Sequence, residues 1–366
     1  PLEIIDSPKT DFKSFRRKLT YIQEIKRPWL YPQWITGQML YDLANNILKQ
    51  QEILVKNGLC LVDCRPENYW LASKPYSLVD LGSIKPLTSQ NIESFRIDFS
   101  KYIFNPLLLE KYMNIPVSAS FKGELYKFNI LPMRLINSWF SKTISIQSIR
   151  DYINNFISQK VLNSSPEFIE FLYSSHTKKD SKPSKKLLKR ISLIQSQLLK
   201  KVKPNLNHKS EWINYQNFHD DLYLKNKNKA INLFLSKINQ SRKIVDLGSN
   251  LTTINNPRID IRIDQDISVC RELYRESSVD DITLLLDIAE ALTQKNHMDF
   301  MGLNCNGYAD TAILMGLIHH IVIDSGLNVD ALYYSLSLLF KDILLEFPLK
   351  NDPMVKTLMK KKNEFI

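Results

Sequence analysis

The sequence predicts a mixed α/β protein, in which a mostly helical N-terminal part precedes a parallel sheet covered by helices. Two observations predict this class. From about residue 227, helical patterns alternate with five short apolar segments, and repeated alternation of this kind favours a parallel sheet. Ahead of that point, apolar residues recur mainly at helical spacing.

The amino-acid composition is that of an ordinary globular protein, and it argues against nucleic acid and membranes as partners. Its 366 residues suffice for two or three hydrophobic cores. The net charge is +11, from 49 basic and 38 acidic residues, but the basic residues are spread along the chain. We therefore expect a solvated charged surface rather than a nucleic-acid interface. The longest apolar stretch, residues 311–323, is shorter than the roughly 20 residues of a membrane helix, so we expect no membrane span.

The cysteines do not form the pattern of a metal site. One C-x3-C pair, without a second pair or accompanying histidines, lacks the ligand set of a zinc site. We therefore predict no metal ligands, and we expect reduced thiols and a cytoplasmic location. The cysteines are Cys60, Cys64, Cys270 and Cys305.

The N-terminal elements follow from apolar periodicity and chain breakers. A helix is predicted over residues 36–57, because apolar residues recur at helical spacing up to the Asn57-Gly58 stop. Helical patterns dominate again from about 95 to 173. Between these two regions, short strands are predicted at 59–63, 68–71 and 76–80.

A change of pattern separates the two halves of the chain. Residues 174–184 read SSHTKKDSKPS, lack apolar periodicity and predict an exposed connector, and a basic helix over about 185–202 follows it. The predicted parts are a helical domain over 1–173, a basic linker and helix over 174–211, and a sheet-bearing domain over 212–366.

Five strands are predicted in the C-terminal part. In the second of them, Ile259, Ile261 and Ile263 alternate with polar residues, which favours a half-exposed strand over an inner strand of a parallel sheet. The predicted strands are 243–247, 259–263, 282–286, 311–317 and 342–347.

Acidic residues stand at the ends of the first three of these strands. Ligands of an open parallel sheet bind outside the carboxyl ends of the strands, where strand order reverses. A carboxylate there can accept hydrogen bonds from ribose hydroxyls or meet an adenine edge. The pattern predicts a site for an adenosine-containing molecule, formed by Asp246, Gly248, Ser249, Asn250, Asp264, Asp266 and Asp287.

Each of these signals has a plainer alternative. A D-x-G after an apolar strand is often a tight turn, and an aspartate at a strand end is often a helix cap. The sequence contains no G-x-G-x-x-G and no G-x-x-x-x-G-K pattern, so the phosphate-binding loops of dehydrogenases and kinases are absent. A cofactor without phosphate therefore suits the pattern better.

A second pattern lies in the N-terminal part. Asp63 is followed five residues later by Asn68, and Asp80-Leu81-Gly82 begins twelve residues after that. The spacing resembles the catalytic loop and D-F-G segment of protein kinases. No glycine-rich strand pair or V-A-I-K lysine precedes it. We interpret this part as a kinase C-lobe remnant that supports the other domain or binds substrate, with nucleotide binding as the alternative.

Several longer stretches carry a family resemblance. In the C-terminal half they are VDLGSN at 245–250, RIDQDISVCRELYR at 262–275, LLLDIAE at 284–290, ILMGLIHHIVI at 313–323 and LLEFPLKNDPMVKTLMKKKNEFI at 344–366. In the N-terminal half they are PWLYPQW at 28–34, the loop from 61 to 83 and FNPLLLEKYMNIP at 104–116. By these stretches the chain resembles bacterial class I methyltransferases of the nodulation-protein-like type, which carry a truncated kinase-like region ahead of the methyltransferase domain.

The resemblance implies a Rossmann-like class I methyltransferase sheet behind a mostly helical, kinase C-lobe-like domain. Because the chain ends 19 residues after Phe347, we expect the last two strands of a seven-stranded sheet to be missing. The implied cofactor is S-adenosyl-L-methionine, bound by the strand-end residues Asp246, Gly248, Asn250, Asp264 and Asp287. The implied residues at the active-site mouth are His319, His320 and Glu346.

The expected activity is methyl transfer to a small-molecule or glycan-type acceptor, with a histidine as general base or as the group that orients the acceptor. The alternative for the two histidines is that one satisfies backbone groups and the other starts a helix. The alternative for the chain is a degenerate methyltransferase that acts as a binding or scaffold protein. Thr252 favours it, because it stands where the family's loop has its second glycine.

Overall fold

The fold is described from a computed structural model of the chain. The structure describes residues 30–72, 74–123, 220–253, 256–278, 281–293 and 309–349, the backbone of 2–4 and 22–24, and a few residues within 188–213 and 355–360. The predicted connector at 174–184 and the helical patterns predicted between residues 124 and 173 lie outside the described residues. So does Cys305.

The described residues belong to two compact units. One takes its residues from Pro1–Leu30, Trp70–Val79 and Lys209–Ile366, and the other takes them from Tyr31–Tyr69 and Asp80–His208. The first unit therefore contains the predicted C-terminal domain together with two segments from the N-terminal half. The predicted domain limits stay predictions.

The N-terminal part combines short strands with helices. Strands β1 and β2 pair in antiparallel fashion, and so do β3 and β6. Strands β4 and β5 form a third pair. The elements are β1 Leu2–Ile4, β2 Ile22–Glu24, α1 Gly37–Lys56, β3 Leu59–Leu61, β4 Tyr69–Trp70, β5 Ser77–Leu78, β6 Ile84–Pro86, α2 Ser89–Asp98, a π-helical segment Phe99–Phe104, α3 Asn105–Met113 and α4 Val117–Lys122.

Helix α1 confirms the helix predicted over 36–57. The Thr36 hydroxyl caps its N-terminus by accepting a hydrogen bond from the Met39 N–H at 3.3 Å. Leu40, Leu43 and Ile47 recur on one face and are fully buried. The helix ends just before Gly58. In the described part of the chain, no helix combines the length and apolar character needed to cross a membrane.

The predicted basic helix is described at five positions. Leu188, Ser192, Ser196, Leu199 and Lys200 are all helical. Leu199 is buried, with 1% of its surface exposed. These five positions agree with the predicted basic helix.

The elements of the C-terminal part alternate between helices and strands. This alternation is the pattern that the sequence predicts from about residue 227. The elements are α5 Asp221–Lys237, β7 Ile244–Leu247, β8 Ile261–Asp264, α6 Ile267–Glu276, β9 Ile282–Leu285, α7 Ile288–Thr293, β10 Thr311–Leu314, a π-helical segment His320–Asp324, α8 Val329–Leu339 and β11 Asp342–Leu345.

The five C-terminal strands form one parallel sheet in the order β11-β10-β7-β8-β9. The parallel sheet and the α/β class are thus confirmed. Strand β7 lies between β8, which follows it in the chain, and β10, which comes later. Strand order therefore reverses beside β7, and the carboxyl ends of β7 and β10 border the crevice where such sheets bind ligands.

Helix α5 closes one face of the sheet through apolar contacts. Ile231 and Leu235, one helical turn apart, pack in a cluster with Ile244 of β7, Ile313 of β10 and the nearby Ile259. Four of these five side chains are at most 2% exposed. The packing fixes α5 against the two strands that border the crevice.

The prediction of a half-exposed second strand is wrong. Strand β8 lies between β7 and β9, and all four of its residues are buried. The polar residue that suggested exposure, Arg262, is 2% exposed. Its guanidinium donates to the carbonyl oxygens of Thr253 and Asn256 at 3.0 and 2.9 Å and lies 3.3 Å from the Asp281 carboxylate. A buried cation with these partners is tolerated on an inner strand.

The segment Trp70–Val79 packs on α6 of the same unit. The hydroxyl groups of Tyr76 and Tyr274 are 2.7 Å apart. Lys74 Nζ donates to the Tyr274 carbonyl oxygen at 2.8 Å and to Ser277 Oγ at 3.0 Å. The ammonium also lies 3.7 Å from the centre of the Tyr274 ring, in cation–π geometry.

Candidate functional site

A pocket lies at the reversal of strand order, where parallel sheets of this kind bind ligands. The loops after β7, β8 and β9 contribute Gly248, Asn250, Asp264, Gln265, Asp266 and Asp287 to its wall. The other lining residues include Trp212, Lys227, Met315, Leu317 and His320. The structure therefore brings five of the seven predicted cofactor residues into one pocket.

Gly248 makes the turn after β7 possible. Its φ is +69°, in the region that favours glycine. A Cβ at this position would lie 2.9 Å from Leu317 Cδ1. The loop after β7 therefore packs directly against Leu317 in the loop after β10, and any larger residue at 248 would require the Leu317 side chain to shift.

The loop after Gly248 uses its backbone N–H groups internally. The N–H groups of Gly248 and Ser249 both donate to the Ile263 carbonyl oxygen, at 2.9 and 3.0 Å. The Asn250 N–H donates to Asp264 Oδ2 at 2.9 Å. Residues 251 and 252 donate to Asn250 Oδ1 and to the Ser249 carbonyl oxygen. The described residues up to 253 form turns rather than a helix.

Two of the predicted cofactor residues lie beneath the pocket and do not line it. Asp246 is 3% exposed and accepts a hydrogen bond from the Thr253 hydroxyl, while Ser249 is 2% exposed. Burial raises the pKa of Asp246 above its usual value, although the Thr253 hydrogen bond and the Lys227 charge act in the opposite direction. Both side chains hold the loop from below.

Asp264 is the most constrained acid of the pocket. Its Oδ1 accepts the Asp266 N–H at 2.8 Å, and its Oδ2 accepts the Asn250 N–H. Burial raises the pKa of Asp264 to about 6, against the lowering effect of these two hydrogen bonds. The carboxylate thus links the loops after β7 and β8 while facing the pocket.

Asp266 and Asp287 each line the pocket and cap a helix. Asp266 Oδ1 accepts the N–H groups of Ser268 and Val269, both at 2.9 Å, and caps α6. It also accepts the Ser210 hydroxyl at 2.9 Å. Asp287 Oδ1 accepts the Glu290 N–H at 3.1 Å in the first turn of α7. The capping alternative is therefore observed, and both carboxylates still line the pocket.

The two histidines have different positions. His320 lines the pocket, and its Nδ1 lies 2.8 Å from Asp324 Oδ2. Its Nε2 is buried and has no hydrogen-bond partner among the described residues. The Trp212 ring meets the imidazole edge-on at 5.3 Å between ring centres. His319 is 6% exposed, and its ring lies 4.3 Å from the His320 ring at an angle of 42°. It does not line the pocket.

Glu346 follows β11 but does not line the pocket. The Tyr223 hydroxyl donates to its Oε1 at 2.7 Å. Its Oε2 is buried without a hydrogen-bond partner among the described residues. The geometry connects Glu346 with α5, which carries Tyr223.

Lys227 is a pocket residue that sequence reasoning missed. It extends from α5 into the pocket wall and is 7% exposed. Burial lowers the pKa of its ammonium, and the charges of Glu346 and Asp246 counter this effect. A signal was present in the sequence, because Lys227 precedes the buried Ile231 and Leu235 at four-residue steps and so belongs to the buried face of α5.

The kinase-like residues lie in the other unit. The pairing of β3 with β6 continues as a hydrogen bond from the Val62 N–H to the Ser83 carbonyl oxygen, so the Asp63 loop and the Asp80 turn are neighbours. Asn68 Nδ2 donates to the Asp63 carbonyl oxygen at 3.2 Å. Asp80 Oδ1 accepts the Gly82 N–H at 2.9 Å.

The Asp63 carboxylate is already paired in this structure. Arg65 Nε donates to its Oδ1 at 2.8 Å, and Nη2 donates to Oδ2 at 2.5 Å. Partial burial acts to raise the pKa of Asp63, but the hydrogen bonds and charge of Arg65 outweigh it, so the pKa is below its usual value. A carboxylate held in this way is a weak base.

Comparisons with known proteins do not assign the chain to a family. No protein-family model matches the chain, and no curated protein or solved structure matches it either. The resemblance to nodulation-protein-like methyltransferases therefore stays a prediction. The function has to be inferred from the pocket's own charges, hydrogen bonds and position in the sheet.

Proposed function

We propose that the unit with the five-stranded sheet is a Rossmann-like class I methyltransferase that binds S-adenosyl-L-methionine in the pocket. One observation carries the proposal. Carboxylates from the ends of β8 and β9 line the same pocket as the glycine turn after β7. The strand order supports it, because the same order in doubly wound sheets forms dinucleotide sites at the corresponding crevice.

The hydrogen-bonding capacity of Asp264 suits a ribose. A carboxylate offers about four acceptor positions, and the backbone N–H groups of Asp266 and Asn250 take two of them. The other two are available for a pair of ribose hydroxyls. Asp287, Ile288 and Ala289 line the adjoining wall and supply both apolar and acidic contacts for an adenine. No phosphate-binding loop is needed for such a ligand.

The chemistry assigned to the pocket is proton removal beside a methyl transfer. S-adenosyl-L-methionine would supply a sulfonium methyl group, so that a bond from the acceptor atom to the methyl carbon would form as the carbon–sulfur bond breaks and S-adenosylhomocysteine leaves. Asp324 holds Nδ1–H of His320, which leaves Nε2 as the basic nitrogen. His320 then takes the proton from the acceptor oxygen or nitrogen, and Trp212 restricts the orientation of the imidazole.

Binding of the demethylated product tests this proposal. Calorimetric titration with S-adenosylhomocysteine should give saturable binding. ATP and NAD⁺ are matched comparisons that share adenosine but carry phosphates, and we expect them to bind far more weakly. An absence of heat with S-adenosylhomocysteine at millimolar concentration would contradict the proposal.

The role of His320 is testable through acceptor screening. We propose that the acceptor is a small molecule or glycan with a hydroxyl or amine group. We also propose that the protein is cytoplasmic, where the buried free thiols of Cys60, Cys64 and Cys270 remain reduced. With labelled methyl donor and an accepted substrate, His320→Gln should lower kcat about 10²-fold or more and leave S-adenosylhomocysteine affinity unchanged. The control is His319→Gln, which alters a residue outside the pocket wall. Equal loss in both variants would argue against the base assignment.

A degenerate methyltransferase that serves as a binding or scaffold protein is the second candidate. Its supporting observation is the loop after β7, whose described residues form turns and use their N–H groups internally. This candidate and the enzyme differ in one measurable respect. The scaffold protein would not bind S-adenosylhomocysteine, whereas the enzyme must.

Nucleotide binding by the kinase-like loop is the third candidate. The adjacency of the Asp63 loop and the Asp80 turn favours it, whereas the pairing of Asp63 with Arg65 opposes phosphoryl transfer. ATP with Mg²⁺ should raise the melting temperature if the loop binds nucleotide. Asp80→Ala should remove that shift. An unchanged melting curve for the unmodified chain would exclude this candidate.

A further inference from the structure

Among the residues that the structure describes, no carboxylate forms an ion pair with Lys227. Within that part of the chain its Nζ makes one hydrogen bond, to the Met315 carbonyl oxygen, at the long distance of 3.4 Å. None of the ion pairs within 4.0 Å among the described residues involves Lys227. A buried ammonium normally requires an anion or several hydrogen bonds, because removal from water is costly. The pocket surface thus presents an incompletely satisfied cation.

Two carboxylates lie near Lys227, but each is engaged elsewhere. Asp246 accepts the Thr253 hydroxyl, and Glu346 accepts the Tyr223 hydroxyl. Both influence the ammonium through space without forming an ion pair with it. They help to keep Lys227 charged. They leave its Nζ open to an anion that enters from the pocket.

Residues 248–252 of the loop after β7 do not offer free backbone N–H donors to an anion. The backbone N–H groups from Gly248 to Thr252 all have partners within the protein. Lys227 is the only lysine or arginine among the described residues that line the pocket. An acidic group of a ligand therefore has one full positive charge to bind, and that charge lies on α5 rather than at a helix N-terminus.

We propose that Lys227 binds the carboxylate of the pocket's ligand. This inference rests on the proposed function, in which the carboxylate is the one on the methionyl part of S-adenosyl-L-methionine. The ammonium takes over the task that free backbone N–H groups perform at helix N-termini. The internally bonded loop and Thr252 are then compatible with cofactor binding, because recognition of the carboxylate has moved to α5.

The test compares two ligands that differ by one carboxylate. S-adenosylhomocysteine and S-adenosyl-3-thiopropylamine, which lacks only the carboxylate, are titrated calorimetrically into the full chain. The unmodified chain should bind S-adenosylhomocysteine about ten- to a hundredfold more tightly. In Lys227→Met that preference should vanish, while affinity for the thiopropylamine stays the same. Methionine suits the site because it fills similar volume without a charge to bury.

A matched control lies on the same helix. Lys229→Met removes an exposed lysine two residues away and should keep the full preference for the carboxylate. If Lys227→Met weakens both ligands equally, or neither, the proposal is wrong and methyl-donor binding survives it. If the unmodified chain binds neither ligand, the proposed function itself fails and the Lys227 assignment fails with it. Melting curves of each variant establish that it is folded.

Discussion

At the scale of single residues, two glycines with similar φ values differ in the space around them. Comparing substitutions at these positions therefore distinguishes the cost of backbone strain from the cost of a steric clash. Gly248 and Gly326 have φ values of +69° and +71°. A Cβ at Gly248 would meet Leu317 at 2.9 Å, whereas nothing lies within 4 Å of a Cβ at Gly326. An alanine at either position incurs the left-handed backbone cost, but only one of them pushes the loop after β10 away.

We expect Gly248→Ala to be the more damaging of the two substitutions. Gly326→Ala should lower the free energy of unfolding by about 1–2 kcal/mol, the cost of a non-glycine residue in the left-handed region. Gly248→Ala should lower it further and should also weaken S-adenosylhomocysteine binding, because Leu317 lines the pocket. Urea unfolding and calorimetry measure the two effects. Equal stability and equal binding in the two variants would contradict the close packing at Gly248.

The raised pKa of Asp264 predicts pH-dependent binding. Only the ionised carboxylate accepts from two ribose hydroxyls and two N–H groups, so affinity for S-adenosyl-3-thiopropylamine should fall as the pH drops through about 6. Stability changes in the opposite direction. Since the folded state holds this proton more tightly, Asp264 contributes stability that is complete below its ordinary pKa of 3.8 and is lost as the pH rises through about 6.

Titrations between pH 5 and 8 check this expectation. Asp264→Asn should bind more weakly and show a flatter pH dependence. His320→Gln is the control, because it changes another pocket residue and leaves the Asp264 carboxylate in place. A pH dependence that persists unchanged in Asp264→Asn would contradict its assignment to Asp264.

Sequence reasoning found the pocket residues that end strands but missed the one on a helix. Gly248, Asn250, Asp264, Asp266 and Asp287 follow strands whose carboxyl ends must meet at one edge of a parallel sheet. Their convergence follows from topology alone. The position of Lys227 depends on how α5 is rotated against the sheet, and a lysine in an amphipathic helix ordinarily faces water.

At the scale of elements, α5 connects stability to the site. Its N-terminus is capped by Asp220, whose Oδ1 accepts the Tyr223 N–H at 2.7 Å. The same helix contributes Lys227 to the pocket wall and Tyr223 to Glu346. Its buried face holds it against β7 and β10.

We expect Asp220→Ala to destabilise the chain by about 1 kcal/mol, because the first turn of α5 loses its cap. Asp220→Asn should retain most of the stability, since asparagine caps helices about as well as aspartate. Urea unfolding compares the three proteins. A loss in the asparagine variant as large as in the alanine variant would indicate that charge, rather than the hydrogen bond, is what Asp220 supplies.

The second strand of the sheet shows where periodicity fails. Ile259, Ile261 and Ile263 alternate with polar residues as they would in a half-exposed strand, yet β8 is buried on both faces. The reason is Arg262, which satisfies its charge and N–H groups inside the protein through Asp281 and two carbonyl oxygens. The alternation of apolar and polar residues shows only which side chains are polar. It does not show whether a polar side chain forms hydrogen bonds or ion pairs when it is buried.

At the scale of the whole molecule, one unit depends on a distant piece of chain. Residues 70–79 belong, with residues 1–30, to the unit whose largest part is 209–366. Tyr76 and Tyr274 are 4% and 6% exposed, and Lys74 bonds to the end of α6. The sequence could predict the segment's short strands, but nothing in its composition indicates a partner 200 residues away.

A chain that begins at Lys209 should therefore be less stable than the complete protein. Without residues 70–79, the Tyr274 ring and the carbonyl group at the end of α6 lose their partners. We expect a lower melting temperature, and we expect an added peptide of residues 70–79 to raise it in a saturable manner. A peptide with Tyr76→Ala is the control and should have a smaller effect. A fragment as stable as the full chain would contradict the contribution of this segment.

The packing of residues 70–79 on α6 also sets an order of events during synthesis. Lys74 and Tyr76 emerge from the ribosome about 200 residues before Tyr274. At roughly 5–20 residues per second, their partners follow tens of seconds later. Until then, the segment can meet only the part of the chain made with it. Completion of the ligand-binding unit must therefore wait for nearly the whole chain, whichever parts of the N-terminal half fold earlier.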